Sequence, residues 1–164
     1  MKFHPSLVQA RHASPLGPMI LAASEAGLAG AWFEGQRHLP ECSRWRQAPD
    51  HPVLLEAMAQ LDDYFAGRRA GFDLPLDIAG GTPFQQSVWR ALRTIAHGQT
   101  ISYRALGERA GCPAAVRAVG AAVGRNPLSI VVPCHRVVGA DGSLTGYAGG
   151  LGRKRALLQL EGAA

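Results

Sequence analysis

The chain has 164 residues, of which 47 % are apolar, and a net charge of +5. That is enough chain for one ordinary domain or two small ones with a buried core, and it is too apolar for a disordered segment. Its three cysteines, Cys42, Cys112 and Cys134, include no Cys-x-x-Cys pair, which argues against a disulfide framework or a cysteine-rich zinc site and points to a reducing, cytoplasmic setting.

Three short runs open the chain as strands: Leu7–His12, Met19–Ala23 and Leu28–Phe33, separated by the turn compositions Ser14-Pro15-Leu16-Gly17-Pro18 and Ser24-Glu25-Ala26-Gly27. Residues 34–50 read as loop. From Pro52 to Ala66 the apolar residues keep helical spacing. Phe72, Leu74, Leu76 and Ile78 alternate with polar residues and Pro75, which predicts a half-buried strand near a sheet edge. Gly80-Gly81 is the candidate linker between a small α/β domain (1–79) and a second domain (82–164).

Thr82-Pro83-Phe84-Gln85 is a capping box opening a helix, with Phe84, Val88, Trp89, Leu92 and Ile95 as its buried stripe. Ser102 caps a short helix from Tyr103 to Ala110, Gly111-Cys112-Pro113 breaks it, and a second helix runs from Pro113 to Val123. This is a helix-turn-helix outline. The second helix is built from small residues, with Arg117 the one long side chain, as suits close approach to a large ligand such as a nucleic-acid backbone. Leu128–Val132 reads as a buried strand leading to Pro133-Cys134-His135-Arg136, and Ala140-Asp141-Gly142-Ser143 as a hairpin turn between Val137–Gly139 and Leu144–Tyr147. A closing helix spans Arg153 to Glu161.

Residues 1–81 carry seven Lys/Arg against nine Asp/Glu, and residues 82–164 ten against three. The positive charge therefore belongs to the half that contains Cys134, as expected of a surface for phosphate backbones. A thiol between proline and His135-Arg136 has a base and a positive charge at hand to favour thiolate, although a free cysteine is as often a small buried hydrophobe. No apolar stretch approaches a membrane span, and the N-terminus lacks a signal-peptide pattern.

The segment Asn126–Val138, with Asn126-Pro127 preceding Pro133-Cys134-His135-Arg136, resembles the active-site segment of the O6-alkylguanine-DNA alkyltransferases. The likeness extends over Thr82–Gly162, through Ser102-Tyr103, Arg117-Ala118-Val119-Gly120, Gly146-Tyr147-x-Gly149-Gly150 and Leu160-Glu161-Gly162. The resemblance implies a ribonuclease-H-like α/β N-terminal domain and a mostly helical C-terminal domain with a helix-turn-helix. It implies a DNA-repair methyltransferase that binds duplex DNA through the minor groove, flips out O6-alkylguanine (O4-alkylthymine being a second candidate) and keeps the alkyl group on its own cysteine.

By the same resemblance Cys134 is the nucleophile, His135 the base, Glu161 the acid that orients it, Tyr103 the donor to the leaving guanine and Asn126 the brace of the segment. Arg117 is the finger filling the gap in the duplex, with Ala118, Tyr103 and Arg136 also at the DNA. Val137, Tyr147, Ala148, Gly149 and Lys154 are assigned to the base pocket. Two positions depart from some relatives. Ala148 removes a hydroxyl near guanine O6, and Ser129 replaces a proline, which is expected to loosen the pocket. No cofactor and no metal are expected, the spacing of His38, Cys42 and His51 being unconvincing for zinc. The expected state is a monomer in solution, with cooperative loading on DNA left open. A lesion sensor without transfer and a cysteine hydrolase are the competing readings; the presence of Cys134 argues against the first and the basic helix-turn-helix against the second.

Overall fold

The computed structural model describes residues 1–163. The first half is a sheet whose hairpins fall where the turn compositions place them. β1 (Val8–Ser14), β2 (Gly17–Ser24) and β3 (Gly27–Phe33) pair antiparallel in sequence, with Ser14 opposite Gly17 and Ser24 opposite Gly27. At Gly27, φ is +143° and a Cβ would lie 2.3 Å from the Pro75 carbonyl oxygen, so conformation and space both demand glycine. A two-residue strand, β4 (Arg46–Gln47), runs parallel to β1 inside the expected loop and gives the order β3-β2-β1-β4. Two residues are too few for periodicity to register.

The pleat of β2 divides its side chains between two clusters. Met19, Leu21 and Ala23 enter the main core, while Ile20 and Ala22 join Trp32 and Trp45 on the other face. The helix α1 (Pro52–Phe65) covers the main face with Leu54, Ala57, Leu61 and Tyr64. Residues 72–78 do not form the expected strand. They make one parallel bridge, Leu76 to Leu28, in which the Leu28 N–H donates to Pro75 O and the Asp77 N–H to Leu28 O, both at 2.8 Å. Pro75 has no N–H with which to lengthen the ladder.

The second half opens with α2 (Pro83–Leu92), and its capping box is complete: Thr82 Oγ1 accepts from the Gln85 N–H at 3.2 Å and Gln85 Oε1 accepts from the Thr82 N–H at 3.0 Å. There follow β5 (Ile101–Ser102), α3 (Tyr103–Arg109), α4 (Val116–Gly124), β6 (Val137–Val138) and α5 (Leu151–Leu160). Trp89 Nε1 donates to Ala122 O at 2.9 Å and fixes α2 against α4. The second helix of the helix-turn-helix starts three residues later than expected, because Cys112–Ala115 close a turn, with the Ala115 N–H donating to Cys112 O at 3.1 Å. α5 begins at Leu151, two residues earlier than expected, after Gly150 at φ +92°.

Two expected strand features are absent. Leu128–Val132 is a buried turn: Leu128 alone bridges to Ala31, and Ile130 stands at φ +73°. A short apolar run reads alike as strand or buried turn, and the hydrogen bonds that distinguish them come from Asn126. Nor do Val137–Gly139 and Leu144–Tyr147 pair as a hairpin. The turn closes at Gly139 N–H to Ser143 O, 2.9 Å, and Val137–Val138 pair in parallel with β5 instead.

The main core runs through both halves, joining Met19 and Leu61 to Trp89, Val119 and Leu157. Among the described residues no helix is long and apolar enough to cross a membrane. Because the cap of α2 depends on one hydroxyl, Thr82→Ala is expected to lower stability by about 1 kcal/mol in chemical denaturation, without a change in m-value.

Candidate active site

The segment carrying Cys134 is docked on the outer edge of β3. The Ala31 N–H donates to Pro127 O at 2.8 Å and the Ser129 N–H to Ala31 O at 2.9 Å. Asn126 then folds the chain back on itself. Its Nδ2 donates to Val132 O at 2.8 Å, and its Oδ1 accepts from the Leu128 N–H at 3.0 Å. Ser129 in this turn is buried, and its hydroxyl donates to Gln36 Oε1 at 3.2 Å. The same Gln36 oxygen accepts from the Phe33 N–H at 2.8 Å, so the segment is tied to the sheet twice.

This turn delivers Cys134 to the start of a single 3₁₀ turn, Cys134–Arg136, where it is 5 % exposed. Burial pushes its thiol pKa up, while the Asn126 amide, the Lys154 ammonium and backbone N–H groups act in the opposite direction. The resting group is therefore a thiol, and a reaction there needs a base. His135 is fully buried, with Nε2 2.8 Å from Glu161 Oε1 and no partner for Nδ1. Facing a carboxylate, Nε2 holds the proton, and Nδ1 keeps a free lone pair. Burial lowers the His135 pKa, and Glu161 opposes that shift.

Glu161 is the hub of the site. Arg136 grips it with a two-pronged guanidinium, Nε to Oε2 and Nη2 to Oε1, both at 2.9 Å, and Arg136 Nη1 donates to Ile95 O at 2.6 Å. Tyr64 of α1 donates its hydroxyl to Glu161 Oε1 at 2.7 Å. Burial alone would raise the Glu161 pKa; hydrogen bonds from His135, Arg136 and Tyr64 outweigh it and hold the carboxyl far below its usual range. Two corrections follow. Arg136, expected at the DNA, is 7 % exposed and occupied inside the protein. Tyr64, which carried no sequence signal beyond core spacing, is part of the site.

Above Cys134 opens a cavity of about 340 Å³. Tyr103, Tyr147 and Ala148 line it, together with Gly120, Ala121 and Gly124 of α4. These small residues form one stripe of the helix, and Arg117 lies one turn before Gly120 on the same stripe, exposed, as is Ala118. Tyr103 Oη donates to Thr145 O at 3.2 Å.

Three residues assigned to the pocket stand behind its wall instead. Val137 is fully buried in β6. Gly149 lies against the Tyr147 ring, where a Cβ would come within 2.7 Å. Lys154 is fully buried, and Nζ donates to the carbonyls of Val137, Thr145 and Gly146 at 2.5, 2.9 and 3.1 Å. Burial lowers its pKa to about 8, so at neutral pH it remains a cation that holds the 144–147 loop and faces Cys134. Arg37, His38 and Arg125, which motif reading passed over, also line the cavity.

Truncation of Arg136 leaves the Glu161 charge buried with fewer partners. Arg136→Ala is expected to cost about 3 kcal/mol in denaturant unfolding. The salt dependence of DNA binding should stay unchanged, since Arg136 neutralises no phosphate; a shallower salt slope would place it back at the DNA.

The geometry agrees with the relatives of this chain. The family description 6-O-methylguanine DNA methyltransferase, DNA binding domain, matches residues 83–163, and its ribonuclease-like domain matches residues 7–78. The methylated-DNA–protein-cysteine methyltransferase of Mycobacterium tuberculosis H37Rv is 49 % identical over 148 residues, covering 90 % of this chain and 88 % of that one. The protein of the same name from Salmonella typhimurium LT2 is 58 % identical, covering 95 % and 96 %. Among solved structures, the Mycobacterium tuberculosis O6-methylguanine methyltransferase superposes with a TM-score of 0.86 at 46 % identity, covering 96 % of this chain and 93 % of that one. The Mycobacterium tuberculosis OGT in complex with DNA gives 0.87 at 47 %, covering 94 % and 92 %. With both halves matched and the relatives aligned over nearly their full length, the chain belongs to the 6-O-methylguanine DNA methyltransferase family.

Proposed function

We propose that this DNA-repair methyltransferase moves the alkyl group of O6-alkylguanine in duplex DNA irreversibly onto Cys134, each molecule reacting once. The observation that carries the reading is a cysteine at the floor of a base-sized cavity, next to a buried imidazole whose free nitrogen is set by a carboxylate. O4-alkylthymine is a second substrate of the same chemistry.

The helix-turn-helix α3–α4 approaches the minor groove with its small-residue stripe, and Arg117 enters the stack as the damaged base leaves it. In the cavity the base lies against Tyr147 and Ala148. His135 Nδ1, which has no protein partner, takes the thiol proton through a water, and the Cys134 sulfur attacks the alkyl carbon. The S–C bond forms as the C–O6 bond breaks, and the electron pair passes into the guanine ring. There the Tyr103 hydroxyl, turned from Thr145 O, donates a hydrogen bond to the leaving base. The thioether is stable and, among the described residues, neither Cys42 nor Cys112 lines the cavity above Cys134, so the protein is consumed. Lys154 favours the thiolate by charge while fixing the loop beneath Tyr147.

Intact-mass spectrometry after incubation with O6-methylguanine duplex is expected to show one methyl group in place of one proton, located on Cys134, and nothing on Cys134→Ser. An unshifted mass with the Cys134 thiol intact contradicts the proposal.

The base also sets the pH profile. Burial holds the His135 pKa below its usual value of about 6.5, so the neutral base persists into mild acid and the rate falls only as pH drops below that. Glu161 raises that pKa; with Glu161→Gln the acid limb is therefore expected at lower pH, together with a slower plateau. Single-turnover rates on a free O6-alkylguanine base between about pH 5 and 8 read both effects, and an acid limb displaced to higher pH contradicts the assignment.

A further inference from the structure

Three side chains at the rim of the cavity have no part in the chemistry at Cys134. Arg37 and His38 come from the loop after β3, and Arg125 from the end of α4. All three are exposed, and none takes part in an ion pair among the described residues. Of the two nearest acids in sequence, Glu34 is taken by Arg11 at 2.9 Å and Glu41 accepts the Ser43 N–H at 2.9 Å. The three lie close enough to feel one another: partial burial, then Arg125, then Arg37 lower the His38 pKa. The two guanidinium charges at one opening repel, and an anion between them removes that repulsion.

The loop is held in place rather than draped there. The Arg37 N–H donates to Ala148 O of the pocket wall at 3.0 Å, and Gln36 takes the Ser129 hydroxyl. His38 stands at φ +62°, a left-handed conformation that side-chain-bearing residues adopt rarely and that recurs where geometry serves binding. His38 and Arg125 also border the adjoining hollow above Trp32 and Pro127.

We propose that Arg37, His38 and Arg125 form a cradle for a phosphodiester of the nucleotide drawn into the pocket, so that the ribonuclease-like half grips DNA alongside the helix-turn-helix. Guanidinium forks and imidazole N–H groups suit phosphate oxygens, and the acidic half of the chain contributes two of them at this one place. The proposal rests on extrusion of the base toward Cys134.

The test is the doubly substituted protein His38→Asn, Arg125→Gln. Asn tolerates the left-handed backbone, and both sites are exposed, so the thermal midpoint should stay within about 2 °C. The readout is the ratio of transfer rates on O6-methylguanine duplex and on free O6-benzylguanine, which has no phosphate. This ratio is expected to fall about tenfold or more, the loss of at least one charge-assisted hydrogen bond. Neutral methylphosphonate linkages flanking the lesion should lower the ratio for the unsubstituted protein and leave the substituted one nearly unchanged. An unchanged ratio in the doubly substituted protein overturns the cradle, as do neutral linkages that slow both proteins equally. Absence of transfer from either substrate by the unsubstituted protein overturns instead the reading of Cys134 on which the cradle rests.

Discussion

A single buried carboxylate holds this molecule together. Glu161 is reached by Tyr64 from α1, by His135 and Arg136 from the 3₁₀ turn, and lies at the end of α5. Such a charge is tolerable only because each oxygen is occupied, and the partners come from segments 97 and 25 residues away. The interaction that solvates Glu161 therefore also ties α1 of the first half to the second and sets the tautomer of the imidazole beside the thiol. Stability and reactivity share one set of hydrogen bonds here.

Features governed by a local rule are legible in the sequence. The capping box at Thr82, the hairpin turns of β1–β3 and the outline of the helix-turn-helix all depend on residues within a few positions of one another. Features set by long-range hydrogen bonds are not. Leu128–Val132 has the composition of a buried strand, yet its partners are the Asn126 side chain and one residue of β3. Tyr64 has the spacing of an ordinary core residue, and only the tertiary structure shows its hydroxyl on Glu161. Arg136 was misplaced for the opposite reason. A cation beside a cysteine in a basic half-chain suggests DNA, whereas the acid 25 residues later claims it. Cys134, His135 and Glu161 were legible together through the family resemblance; Cys134 and His135 alone were also legible as neighbours in sequence.

Backbone conformation tells a parallel story. Among the described residues the positive-φ positions with side chains are His38 and Ile130. His38 lines the pocket from the loop after β3, and Ile130 is buried in the turn that leads to Cys134. The helix α4 makes the complementary choice, presenting Gly120, Ala121 and Gly124 so that the pocket opens directly beside its backbone. Bulk is removed on one wall and strain is accepted on the other.

The docking of the Cys134 segment on β3 has a further consequence. An open strand edge is a template for pairing with other chains, and β3 is an entirely apolar, buried strand. Leu76 covers it at Leu28 and Leu128 covers it at Ala31, while the opposite edge is the two-residue β4 with exposed Arg46 and Gln47. The active-site turn thus serves as the guard of the sheet. Any change that lifts it displaces the Cys134 thiol and uncovers a sticky edge in the same motion, so for this fold misplacement of the cysteine and aggregation share a single trigger.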